Sequence, residues 1–202
     1  RDCASKYGFS QAARLRRWGV LGGRTLLTDG VYLSLEDRDM LKSSGAWLVH
    51  LPRSNTIAGV GLAPVADYID RGMRLCLGTE DSSMDLRAEA TAGVHAQLQN
   101  KPQPQERMFS LFGAALLDVN AEMAAAILND QVGTLRPGAL ADFILLDCYG
   151  SLPQDATMLR RQLMLGGTNF NVNTVVVHGQ VLYQNGEYKT VEEQRIVAHA
   201  RE

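Results

Sequence analysis

The stretch Gly72-Met73-Arg74-Leu75-Cys76-Leu77-Gly78-Thr79-Glu80-Asp81 decides the fold. A glycine closes what precedes it, a short apolar run follows, and the run ends in Gly-Thr and two acids. A brief apolar run bounded by breakers reads as a buried strand. Two earlier runs have the same form, Arg24-Thr-Leu-Leu-Thr-Asp29 and Ala46-Trp-Leu-Val-His50. Behind the first, Ser34-Leu-Glu-Asp37 is a capping box that opens a helix, and Gly45 ends it. Behind the second come a long loop and a helix from about Pro64 to Arg71. Behind the third, a helix from about Met84 to Gln99 sets Leu86, Ala90, Val94 and Leu98 on one face. Strands alternating with helices every ~20 to 30 residues predict an α/β fold with a parallel sheet. No G-x-G-x-x-G or Walker sequence stands at a strand-to-helix turn, so a barrel is preferred to a nucleotide-binding doubly wound sheet.

The second half changes character. Asn100-Lys-Pro-Gln-Pro-Gln105 is a polar linker, followed by helical stretches over 106–117 and 120–129, the second capped by Asn120. Ala141-Asp-Phe-Ile-Leu-Leu-Asp147 and Thr174-Val-Val-Val-His178 read as strands. Val181-Leu-Tyr-Gln184 runs into Asn185-Gly186, the dipeptide of a type I′ hairpin. A helix from about Val191 closes the chain, so this tail is an α+β element with antiparallel pairing.

Composition narrows the function classes. The chain has 202 residues, a formal net charge of -2, 46% hydrophobic and 21% charged residues. There is no basic excess, which argues against a nucleic-acid partner or a membrane surface. No uninterrupted apolar run of about 18 residues occurs, so no bilayer span is expected. Cys3, Cys76 and Cys148 form neither a disulfide framework nor a zinc-site spacing, and reduced thiols imply a cytoplasmic protein. Cys76 reads as a small core residue. The chain opens on Arg1 without Met or a signal-peptide pattern, and a piece of something longer is expected.

In a parallel βα barrel, reactive side chains gather where the strands end. Here those ends carry Asp29, His50, and Glu80 with Asp81. Carboxylates and an imidazole on one rim match hydrolytic metal chemistry, in which a bound ion activates water and a neighbouring base takes its proton. The same residues could equally cap the loops that follow. After His50, Pro52 fixes a turn, and Arg53, Ser54 and Asn55 supply donors for an anion or carbonyl, or for loop backbone groups. His95, His178 and His199 lack partners at ligand spacing and read as structural.

Four segments carry a family resemblance: Thr28-Asp-Gly-Val-Tyr-Leu-Ser34, Val49-His-Leu-Pro-Arg-Ser-Asn55, Val60-Gly-Leu-Ala-Pro64 and Gly72 to Glu80. They resemble the second half of the amidohydrolase superfamily, in its aminohydrolase, chlorohydrolase and guanine-deaminase-like branch. Gly133-Thr-Leu-Arg-Pro-Gly-Ala-Leu-Ala-Asp-Phe-Ile-Leu-Leu-Asp147 is similar to the segment entering that family's β-sandwich, and Val175 to Tyr183 to the strand pair completing it. The resemblance implies the C-terminal part of a metal-dependent-hydrolase (β/α)8 TIM barrel plus part of a small β-sandwich subdomain. Residues 1–130 would hold the last three βα units and following helices, and 131–202 the sandwich portion with its closing helix.

The resemblance also implies a small-molecule substrate with a non-peptide C–N bond and a divalent metal, zinc or iron. It makes Asp29, His50 and Glu80 the catalytic candidates, Arg53, Ser54 and Asn55 the substrate-binding ones, and Glu80 and Asp81 the metal ligands. Two positions depart from the pattern. Asp29 stands where the family has His at the sixth strand, and Glu80 where it has Asp after Gly-Thr at the eighth. An added methylene displaces a carboxylate by about an ångström, an error that costs on the order of 100-fold in rate. An ionised Asp accepts a proton but cannot donate one. The family's first-strand His-x-His and fifth-strand His have no counterpart here. The isolated chain is therefore expected to be inactive and to bind metal poorly by itself. An upstream half or a second chain would complete the barrel, in a homo- or hetero-oligomer. The alternative is a catalytically inactive scaffold or assembly subunit.

Overall fold

In a computed structural model, residues 2–80, 84–100, 104–149, 155–165 and 170–201 are described. The three apolar runs form strands β1 (Leu26–Thr28), β2 (Trp47–His50) and β3 (Arg74–Leu77). They pair in parallel in the order β1-β2-β3, with Leu26 beside Trp47 and His50 beside Leu77.

Two short helices precede β1: α1 (Asp2–Tyr7) and α2 (Gln11–Arg17). They carry little apolar periodicity, and the sequence reading did not anticipate them. Ser10 caps α2 by accepting from the Ala13 N–H at 3.1 Å. Between β1 and β2 lies α3 (Leu35–Ser44), whose capping box forms as read, with Gly45 left-handed at its end. The segment after β2, expected to be a loop, contains helix α4 (Pro52–Ile57). Pro52 is pre-set for the first helical position and needs no acceptor for a missing N–H, so the helix starts one residue after the strand. Then come α5 (Val65–Asp70) and, after β3, α6 (Leu86–Asn100).

The two helical stretches expected over 106–117 and 120–129 are one. Helix α7 (Gln105–Ala114) passes through a π-helical turn (Ala115–Val119) into α8 (Asn120–Leu128). By length and composition this 24-residue span could cross a membrane. Its first half is instead seated in the core through Met108, Phe109 and Phe112. Asn120 caps nothing, because Val119 before it is already helical. Its side-chain amide turns to β3, accepting from the Leu77 N–H at 2.9 Å and donating to the Leu77 carbonyl at 3.1 Å.

Alternation along the strands sorts their faces. Leu48, Leu75 and Leu77 pack with Leu41, Tyr68 and Val94 in a core between sheet and helices. The interior of the would-be barrel receives Trp47 and Cys76 instead, and both are buried. Three strands cannot close a barrel, so β1 and β3 are both edges.

The second sheet is antiparallel in the order β4-β5-β6-β7: β4 (Phe143–Cys148), β5 (Phe170–Val177), β6 (Gln180–Gln184) and β7 (Glu187–Tyr188). Asn185 and Gly186 both have positive φ (51° and 88°), as a type I′ turn requires. His178 and Gly179 make the equivalent turn between β5 and β6 (51° and 76°), which gives His178 a backbone role. The unanticipated helix α9 (Ala156–Leu165) packs on the helices of the barrel portion through buried Met164, whose carbonyl accepts from Thr91 Oγ1 at 2.5 Å. Helix α10 (Glu193–His199) ends the chain.

Candidate active-site groove

The C-terminal ends of the three strands open on a groove of about 800 Å³. Asp29, Tyr32, Ser54, Asn55 and Glu80 line one part of it, and Leu26, Leu27, Ala12 and Leu15 carry it along the free edge of β1. Asp29 extends the pairing of β1 by donating its N–H to the Val49 carbonyl at 3.1 Å. It then turns left-handed (φ 67°), followed by Gly30 (φ 64°). Asp tolerates that conformation better than most residues. A Cβ on Gly30 would lie 2.6 Å from Leu48 Cδ1, so only glycine lets the chain leave the strand this way.

Two tyrosines fix the turn that follows. Tyr68 Oη donates to the Gly30 carbonyl at 2.6 Å, and Tyr32 Oη to the Val60 carbonyl at 2.5 Å. The Tyr32 ring is 84% exposed at the groove.

Helix α4 supplies the facing wall. Ser54 Oγ donates to Glu80 Oε2, joining the β2 and β3 ends. Asn55 lines the groove yet is only 2% exposed, and its Nδ2 has no hydrogen-bond partner among the described residues. A buried amide donor without a partner is uncommon in native structures.

The other sequence candidates are placed elsewhere. His50 is fully buried on the helix side of the sheet, its ring centroid 6.1 Å from that of Phe112, and it does not line the groove. Period-two alternation sends it to the same face as Leu48, away from the rim. Burial lowers its pKa to about 4, so the imidazole is neutral, and neither ring nitrogen has a partner among the described residues. Arg53 is also absent from the groove lining, and its guanidinium lies 3.8 Å from buried Glu89. Asp81 lies outside the described residues. His95 is exposed on α6. Cys76 is core, as expected, with its thiol raised to about 11 by burial and donating to the Leu48 carbonyl at 3.6 Å.

Glu89 and Tyr32 were not singled out from sequence. Glu89 had a usable signal, being three residues from Leu86 and next to Ala90 on the apolar face of α6. A charge on a buried helical face needs a partner, and here that is Arg53.

For a metal ion the groove offers three carboxylates, of which Asp37 is engaged by Ser10 and the Ser34 N–H and Glu80 by Ser54. Among the described residues no group of three or more His, Cys, Asp and Glu side chains could hold an ion. Zinc favours nitrogen or sulfur ligands in fourfold sites. These residues do not fit a zinc centre by themselves.

Comparison with known proteins accounts for this geometry. The amidohydrolase family profile matches residues 7–182, so the chain belongs to the amidohydrolase family. A 5-methylthioadenosine/S-adenosylhomocysteine deaminase of Lawsonia intracellularis is 31% identical over 92% of this chain and 42% of its own length. One from Pyrococcus horikoshii is 26% identical over 95% of this chain and 46% of its own length. Among solved structures, an adenosine deaminase from Xanthomonas campestris with bound zinc superposes with a TM-score of 0.82 at 20% identity, covering 99% of this chain and 46% of the other. A triazine hydrolase variant gives 0.83 at 25% identity, covering 98% and 44%. The chain thus spans about half the length of the curated relatives it matches. The architecture is that of an amidohydrolase barrel, seen over about half of the neighbouring chains.

Proposed function

We propose that this chain supplies one wall of the active site of a hydrolase acting on non-peptide C–N bonds, of deaminase or aminohydrolase type. The upstream half of the same protein, or a second chain, completes the barrel. The observation that carries this reading is the gathering of Asp29, Ser54, Asn55 and Glu80 around one groove at the C-terminal ends of parallel strands. Asp29 and Glu80 accept hydrogen bonds or protons from a nitrogen-bearing substrate. Asn55 Nδ2 offers it a donor, and Tyr32 an exposed ring.

A divalent ion, such as the zinc in the neighbouring structures, would be held chiefly by side chains outside this chain. Reduced cysteines favour the cytoplasm, and the three here are free thiols. Charge and composition continue to favour a small-molecule substrate over nucleic acid.

A second reading is a catalytically inactive scaffold or assembly subunit. The Ser54–Glu80 hydrogen bond favours it, because a carboxylate held by a neighbouring hydroxyl is less available as a ligand. One experiment separates the two. The complete protein is purified without chelators, its metal content measured, and deamination of purine nucleosides and aminotriazines assayed. The enzyme reading expects about one equivalent of metal and turnover that falls at least ~100-fold in Glu80→Ala. Less than about one tenth of an equivalent and no turnover, unchanged when Glu80→Asp and Asp29→His are combined, establishes the scaffold.

A further inference from the structure

Glu89 is 2% exposed, and its partners lie on a different element from its own helix. Burying an unpaired carboxylate is strongly unfavourable, so a buried one marks a place where its partners matter. Glu89 Oε2 accepts from the Arg53 backbone N–H at 3.0 Å, and Oε1 lies 3.8 Å from Arg53 Nη1. Arg53 is in the first turn of α4, where backbone N–H groups have no intrahelical acceptor. The residue at the cap, Leu51, has no side-chain acceptor to offer. Glu89 therefore does from α6 what a capping side chain would do within α4.

The next two residues of that turn are Ser54 and Asn55, both lining the groove. Ser54 Oγ reaches Glu80, while the buried Asn55 Nδ2 finds no partner. A free turn of helix would rotate or fray until that donor found an acceptor, because satisfied buried donors are the rule. A turn clamped from outside cannot.

We infer that Glu89 is the positioning residue of the groove: by clamping the first turn of α4 it sets Ser54 against Glu80 and keeps the Asn55 amide free for a bound molecule. Its importance for turnover rests on the reading of the groove as an active site. The clamp itself does not.

The test is residue-resolved amide exchange on the 15N-labelled complete protein. In the unmodified protein the Arg53 amide should exchange at least ~10-fold more slowly than first-turn amides usually do, and more slowly than that of Ser54 beside it. In Glu89→Leu, Arg53 protection should fall ~10-fold and the Asn55 side-chain amide resonances should move, while amides of β2 and α3 change less than about 2-fold. Glu89→Gln keeps an acceptor and should restore most of both signals. Equal exchange at Arg53 and Ser54 in the unmodified protein overturns the inference, and needs no variant to fold. So does a Leu variant whose amides loosen uniformly, since Glu89 would then only support the core. In the complete protein, KM for any substrate found should rise about 10-fold in Glu89→Leu with kcat within about 3-fold, and Glu89→Gln should recover most of that rise. Absence of turnover removes the enzyme reading and leaves the exchange result standing.

Discussion

His50 shows how a residue type can suggest one role and its environment impose another. At a strand end beside Pro52 it reads as a catalytic imidazole, yet the strand's alternation turns it inward against Phe112. Its consequence is for stability. The unfolded imidazole titrates near 6.5 and the folded one near 4, so the unfolded state binds the proton first as pH falls. This contribution is full above pH 6.5 and is lost on the way down to about pH 4, a change of about 3 kcal/mol. Urea unfolding at pH 7 and pH 4.5 should show the loss, and His50→Leu should remove most of the difference between the two. An equal loss in the variant would assign the pH dependence to carboxylates instead. Asp29 and Glu80 were legible because strand termini in a βα pattern point to one rim, and Ser54 and Asn55 because they follow Pro52 with donors to offer. The orientation of His50 and of Arg53 was not legible, since it depends on which face of β2 packs on the helices and which side of α4 meets Glu89.

At the scale of elements, the strands, the capped α3 and the Asn185-Gly186 hairpin were readable because each has a local cause. Pro52 was read as a turn when it opens a helix. The helix is continuous across 118–119, where Asn120 reads as a cap that opens a second helix. In the fold Asp118 pairs with Arg160 of α9, and Asn120 with the backbone of β3. Both are long-range interactions, invisible to a window moving along the chain. Asn120→Leu should destabilise the chain by about 1 to 3 kcal/mol, since it strands the N–H and the carbonyl of Leu77 together. Asn120→Asp keeps the acceptor and loses the donor, and thermal unfolding should rank it lower than wild type as well. Wild-type stability in the Leu variant would show that these bonds are replaced by solvent.

For the whole molecule, the chain spans about half the length of its relatives, and several large apolar side chains lie uncovered. Ile144 and Leu145 on β4 are 54% and 52% exposed, and Leu26 on β1 and Leu128 at the end of α8 are also uncovered. Such surface on a chain with open sheet edges favours association. Sedimentation of the isolated chain should show concentration-dependent self-association, and co-expression with an upstream half should replace it by a discrete complex. A monomer from micromolar to millimolar concentration would mean that these surfaces need no cover.

The two edges of the parallel sheet are not equivalent, and Asn120 is the reason. On β3, the outward-facing donor and acceptor of Leu77 are already matched by a side chain that imitates one residue of a neighbouring strand. On β1, the outward-facing backbone of Leu26 and Thr28 meets no such mimic among the described residues. An incoming strand can therefore zip along the whole of β1, but on β3 it must stop short of Leu77 or evict the amide. A half that closes the barrel therefore meets an open seam at β1 and, at β3, a side chain it must displace or stop beside.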